Sequence, residues 1–156
     1  MLLVTFLGTV NEKIKIKMIT KKRQYEDFTI NIKVLLSGLW VTVMFLYIYG
    51  DYFELYVPGK VNGLLNGQNL LNTPLRLFFA TFILTLPALM IFLSLLMRPR
   101  WNRVLNISIG LFFTLFTLLV GISSFAEWRV FYVVLAFLES IITATIVWMA
   151  FRWPKS

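Results

Sequence analysis

Four stretches of the chain, roughly residues 34–53, 75–97, 104–122 and 130–151, are apolar with few interruptions, and charged or aromatic residues gather at their ends. Each approaches the about 20 residues that a helix needs to cross a hydrocarbon layer about 30 Å thick. The pattern predicts an all-α protein, a bundle of four transmembrane helices. Residues 34–156 form its transmembrane domain, residues 1–33 a basic N-terminal arm and residues 54–74 an outer loop.

The ends of the runs carry the expected interface chemistry. Trp101 opens the third, Trp128 opens the fourth, and Trp148 with Trp153 closes it, as aromatic rings do where bilayer meets water. The first run ends in "LYIYGDYFELYVPGK", Leu46 to Lys60. If the helix continues past Gly50, then Tyr47, Asp51, Glu54 and Pro58 share one stripe, while Tyr49, Tyr52, Phe53 and Tyr56 form a separate aromatic band. Pro58-Gly59 is a sound stop, since proline lacks the helical donor and glycine can turn the chain.

Two acids one turn apart can attract a hard cation or a proton, but metal sites need more oxygen ligands. The plainer reading is solvated acids above an aromatic belt, paired with Lys60 or Arg76. The following connection is long, and "VNGLLNGQNLLNTP" places leucine pairs at 64/65 and 70/71 among polar residues and glycines. This fits a short interfacial helix or hairpin, or a lid over a cavity between the helices. Thr73 and Pro74 make a hydroxyl cap and a first-turn proline for the second span.

Charge adds an orientation. Seven lysines and arginines precede or include Lys33, Arg98, Arg100 and Arg103 lie in the second connection, and Arg152 and Lys155 follow the last span. Only Lys60, Arg76 and Arg129 sit on the other side. Twelve cations against three is a positive-inside bias, which places both termini in the cytoplasm and predicts a multi-pass protein of the cell (inner) membrane. The opening "MLLVTFLGTV" is too short to span and lacks the flanks of a signal peptide. The alternating "EKIKIKM" reads as a loose basic arm near anionic headgroups. "MITKKRQYEDF" has the look of a natural start at Met18, which would make residues 1–17 an extension.

Composition agrees and narrows the chemistry. The 156 residues are 59 % hydrophobic and 14 % charged, against the about 25 % charged of a soluble domain. There is no cysteine and no histidine, so thiol redox, Cys/His zinc sites and histidine-ligated haem are excluded. No cofactor and no metal is expected. The net charge of +8 follows membrane topology and forms no nucleic-acid patch.

Inside the membrane, Glu139 stands out. It lies about ten residues into the fourth span, near the midplane, where a charged side chain costs at least about 2.5–3.5 kcal/mol. It must face protein or a wet cavity, as a neutral, hydrogen-bonded carboxyl unless a cation stands beside it. Hydroxyl neighbours available to it are Thr143 on its own face and Ser37, Thr42, Thr81, Thr85, Thr114 or Thr117 elsewhere. As a clasp between helices it would contribute about 0.6–2 kcal/mol. Gly110, Thr114, Thr117 and Gly121 on the third span, and Ala136, Ser140 and Ala144 on the fourth, make small-residue packing faces. Pro87 removes a donor from the second span and predicts a kink.

With "YIYGDYFELYVPGK", "MRPRWNR" and "WMAFRWPKS" in view, the chain resembles, over residues 31–156, a family of small bacterial four-helix membrane proteins of unknown function. It is more loosely similar to DoxX-type four-helix proteins, by architecture alone. Neither resemblance implies an activity. The candidate ligand or proton residues are therefore Glu139, Asp51, Glu54, Tyr47 and Thr143. The leading expectation is a non-enzymatic module that binds a lipid, a small apolar ligand or a protein partner in an intramembrane cavity. A small proton-coupled transporter using Glu139, as a homo-oligomer, is the alternative. An enzyme comes third, because no nucleophile motif or phosphate loop accompanies the acids.

Overall fold

The computed structural model describes residues 29–153, so residues 1–28 of the basic arm and the proposed start at Met18 lie outside the described residues, while the end of the arm enters the first helix at Ile32. Five α-helices follow one another: α1 (Ile32–Glu54), α2 (Lys60–Leu65), α3 (Pro74–Leu96), α4 (Pro99–Ser123) and α5 (Val130–Phe151), the last preceded by a 3₁₀ turn, Glu127–Arg129. Four of them, all but α2, are long and apolar enough to cross a membrane. At 1.5 Å per residue they run roughly 33–38 Å, longer than a hydrocarbon core of about 30 Å. This is the organisation of a multi-pass membrane protein.

Local chemistry sets the helix ends. The Asn31 side chain accepts from Lys33 N at 3.0 Å, and Thr73 Oγ1 from Arg76 N at 3.3 Å, with Pro74 in the first turn of α3. Pro99 likewise starts α4, five residues before the apolar run predicted at 104, so Asn102 and Arg103 belong to the helix. Gly59 caps α2 with φ +80°, a left-handed conformation that a side chain would strain. The expected short helix in the long connection is thus present at 60–65.

In the bundle, α1 packs on α3 and α5, α4 packs most extensively on α5, and α3 meets α4 only lightly beyond their shared turn. The half of the bundle around that turn is solid. Leu36, Trp40, Val43, Met90, Phe113 and Ile146 form its buried core, with Trp40 edge-on to Phe113. Beside them lies a polar lock. Trp40 Nε1 donates to Asn106 Oδ1 at 2.8 Å, and Asn106 Nδ2 donates to Asn102 Oδ1 at 2.6 Å. Asn102 Nδ2 in turn donates to the Ser94 carbonyl at 2.5 Å, which ties α1, α3 and α4 together.

The cations at this end are structural as well as topological. Lys33 Nζ donates to the Met97 carbonyl at 2.7 Å, and Arg103 donates to the carbonyls of Ala150 and Phe151, each at 3.2 Å. Each satisfies carbonyls that a helix C-terminus leaves open and opposes the negative end of the helix dipole.

The α4–α5 seam uses the small residues. A Cβ on Gly110 would stand 2.8 Å from Val147 Cγ2, and one on Gly121 would stand 3.2 Å from the Ala136 Cβ. Thr117 and Ser140 hydroxyls lie 2.7 Å apart, and those of Thr114 and Thr143 lie 2.9 Å apart. The predicted stripe on α5 needs one correction. Ala144 is exposed, and the seam passes through Thr143 and Val147, because a helix of 3.6 residues per turn drifts off a strict four-residue spacing.

Candidate functional site

The other half of the bundle is hollow. A cavity of about 1300 Å³ opens between α1, α3, α4 and α5 at the end that carries the long connection, and residues 57–72 lie across it. Its walls are mainly apolar, with Ile83 and Leu84 from α3 and Phe116 and Val120 from α4. Two local features keep it open. Residues 74–79 of α3 are exposed throughout and do not close against α4, and Gly50 and Ala80 place no bulk in the interior. Pro87, buried where α3 rejoins the core, is the residue at which a helix of this kind can change direction.

Four of the five residues singled out from the sequence meet here. Tyr47, Asp51 and Glu54 line the cavity from α1, at the predicted helical spacing, and Glu139 lines it from α5. Thr143 does not join them. It is fully buried, donates to the Glu139 carbonyl at 2.8 Å and faces Thr114 across the seam. Sequence reasoning missed Tyr132, two turns before Glu139 on α5, and Arg129 beside it. The signal for Tyr132 was its seven-residue spacing from Glu139. Arg129 had no local signal, since its partner is 75 positions away.

That partner is Glu54. Its Oε1 accepts from Lys60 Nζ at 2.8 Å and from Arg129 Nη2, so one carboxylate joins the end of α1, the start of α2 and the start of α5. Lys60 was an expected partner of the α1 acids. Arg76 is not one, because its guanidinium donates to Asn72 Oδ1. Among the described residues, the second Glu54 oxygen is buried without a partner, as is the Tyr47 hydroxyl.

Glu139 sits roughly 14 Å along α5 from its start, close to mid-helix. It is 6 % exposed, and its carboxyl makes no hydrogen bond among the described residues. The hydroxyls considered for it are otherwise engaged. Ser37 donates to the Ile91 carbonyl, and Thr42, Thr81 and Thr85 donate to carbonyls one turn back on their own helices. An interhelical clasp through the Glu139 carboxyl is therefore absent from this arrangement among the described residues.

Outside the cavity mouth, Phe53, Tyr56, Val57, Trp128 and Phe131 line a second cleft of about 390 Å³. Tyr52 and Tyr56 hydroxyls are 2.9 Å apart, and this hydrogen bond pushes the Tyr56 hydroxyl above its ordinary tyrosine value. Trp101, Trp128 and Trp148 are all exposed on the bundle surface, which suits rings at an interface. Among the described residues, no three acids come together in a way that could hold a metal ion.

A family model described as a family of unknown function, DUF6326, matches residues 23–156. The chain belongs to this family. No curated protein and no solved structure matches it. Membership in DUF6326 brings no activity with it and leaves the assignment of a role to the geometry.

Proposed function

We propose that this protein binds a small, largely apolar ligand in the cavity at the loop end of its bundle and performs no chemistry on it. One observation carries the reading: half of the bundle is packed to its centre and the other half leaves a half-open hollow of about 1300 Å³ among four helices. Protein interiors are normally filled to crystal-like density, and a side-chain-lined hollow with a few convergent polar groups is the usual form of a ligand site. The volume exceeds the about 300–1,000 Å³ of most small-molecule pockets, which suits a ligand with an extended apolar body. The twelve-to-three distribution of cations supports an orientation in which both termini are cytoplasmic and the cavity mouth faces outward in the cell membrane.

Native mass spectrometry in mild detergent tests the binding reading. The wild type is expected to carry a co-purifying adduct, and Ala80→Trp, which pushes an indole ring into the cavity from α3, is expected to carry less of it while still folding. Bare protein from the wild type overturns the reading. A second reading, proton-coupled transport, is favoured by the Glu139 carboxyl, which lines the hollow without a partner among the described residues. Substrate-driven proton flux in liposomes that persists in Glu139→Gln counts against it.

A further inference from the structure

The protein carries a net charge of +8, yet all four acidic residues of its described chain, Asp51, Glu54, Glu127 and Glu139, line this one cavity. The two cations among the lining residues, Lys60 and Arg129, both bond Glu54. That leaves Asp51 at the mouth and Glu139 within, neither with a bonded cation among the described residues. Glu139 is the decisive group. It is more than nine-tenths buried, without a hydrogen-bond partner among the described residues, and lines the hollow. Unlike the second Glu54 oxygen, the Glu139 oxygens are open to the cavity, and a carboxyl this deep in a spanning helix is costly unless something in the cavity meets it.

We infer that the ligand is a cationic amphiphile, an organic ammonium or similar monocation on an apolar body, whose charge lies between Asp51 and Glu139. This assignment rests on the binding reading above. A metal ion is the wrong cation for the site, since the acids are not clustered for coordination and the walls are apolar. An organic cation fits both halves of the lining. Tyr47, Phe116 and Tyr132 put aromatic rings in the lining, a ring type that attracts a diffuse positive charge, and Ile83 and Leu84 offer contact to hydrocarbon. Among the described residues, the titratable groups of the lining that act on Glu139 are Tyr47 and Asp51 of α1 and Tyr132 of α5; Glu54, Lys60, Glu127 and Arg129 lie at the loop end, and α3 and α4 contribute none. An anionic ligand would find no uncommitted cation there. The ammonium can belong to a free lipophilic amine or to the headgroup of an aminophospholipid.

Calorimetric titration of the full-length protein in mild detergent with tetraphenylphosphonium and tetraphenylborate, ions of similar size and opposite charge, tests the assignment. Protein-free micelles of the same detergent supply the reference for partition. The wild type is expected to bind the phosphonium at least about tenfold tighter than the borate, a difference of about 1.4 kcal/mol. Glu139→Gln, a near-isosteric change, and Asp51→Asn, at an exposed position, are each expected to remove most of that preference. If the borate binds as well or better, or if both variants leave phosphonium binding unchanged, the charge assignment falls and the cavity reading stands. If folded wild type binds neither ion above the reference, both fall together. Native mass spectra of protein taken from its own membrane separate the sources. An adduct displaced by the phosphonium supports the assignment, its mass distinguishing aminophospholipid from free amine. A neutral or anionic lipid adduct that resists displacement overturns it.

Discussion

Glu54 shows how much a single side chain can organise. It is 7 % exposed, and its one bonded oxygen gathers Lys60 and Arg129, both about a third exposed. Exposure of the cations to solvent discounts the pair energies, so Glu54→Gln is expected to cost about 1–2 kcal/mol. The larger consequence is local. With its tether to α1 cut, the 57–72 segment is expected to become cleavable by a protease added to purified protein, at a rate that Asp51→Asn does not reproduce. Equal cleavage in both variants would mean that the ion pairs do not hold the segment down. Asn106 makes the complementary case at the solid end, where Asn106→Leu takes the partner from the Trp40 indole N–H and from Asn102 Oδ1, while Asn102 Nδ2 keeps the Ser94 carbonyl. Unsatisfied buried donors cost about 1–3 kcal/mol, to be read as a lower melting temperature in detergent.

Between helices, the α4–α5 seam makes a sharper prediction because the space is measured. Gly110→Ala drives a methyl to 2.8 Å from Val147 Cγ2, so it is expected to destabilise the bundle by about 1–3 kcal/mol. Val147→Ala in the same chain should restore most of the loss, whereas Gly38→Ala, with nothing within 4 Å, should be neutral. A melting series of the four proteins decides it, and a missing rescue would place the strain elsewhere. The helices themselves were readable in advance because a spanning segment must satisfy its backbone internally and be apolar for its whole length. The start of α4 was misplaced at 104 because Asn102 and Arg103 look like loop residues, although the structure turns Asn102 inward as a partner of Asn106 and Ser94. Two asparagines one helical turn apart were a signal for that lock. The α1 side of the cavity was equally readable, since Tyr47, Asp51 and Glu54 follow helical spacing. What no spacing could reveal was that α3 stands off from α4, a property of how the four helices meet.

The arrangement of the four helices also ties the charge pattern to the orientation. At the end shared by the start of α1 and the close of α5, Lys33 and Arg103 cap the C-termini of α3 and α5 while adding to the positive count. At the opposite end, Lys60 and Arg129 bond the Glu54 carboxylate, and Arg76 bonds the neutral Asn72. The count of twelve to three is not altered by these contacts, since acids weigh little in the positive-inside bias. A positively charged end is retained on the cytoplasmic side during insertion, which would direct the cavity mouth and its acids outward. The absence of cysteine makes the test free of background. Asn66→Cys, in the exposed connection after α2, is expected to react with a membrane-impermeant maleimide in intact cells, and Ser156→Cys only after the membrane is opened. The reverse pattern would put the mouth in the cytoplasm. A cationic amphiphile would then be taken from the cell interior, and the electrostatic case for the site would survive with its direction of access inverted.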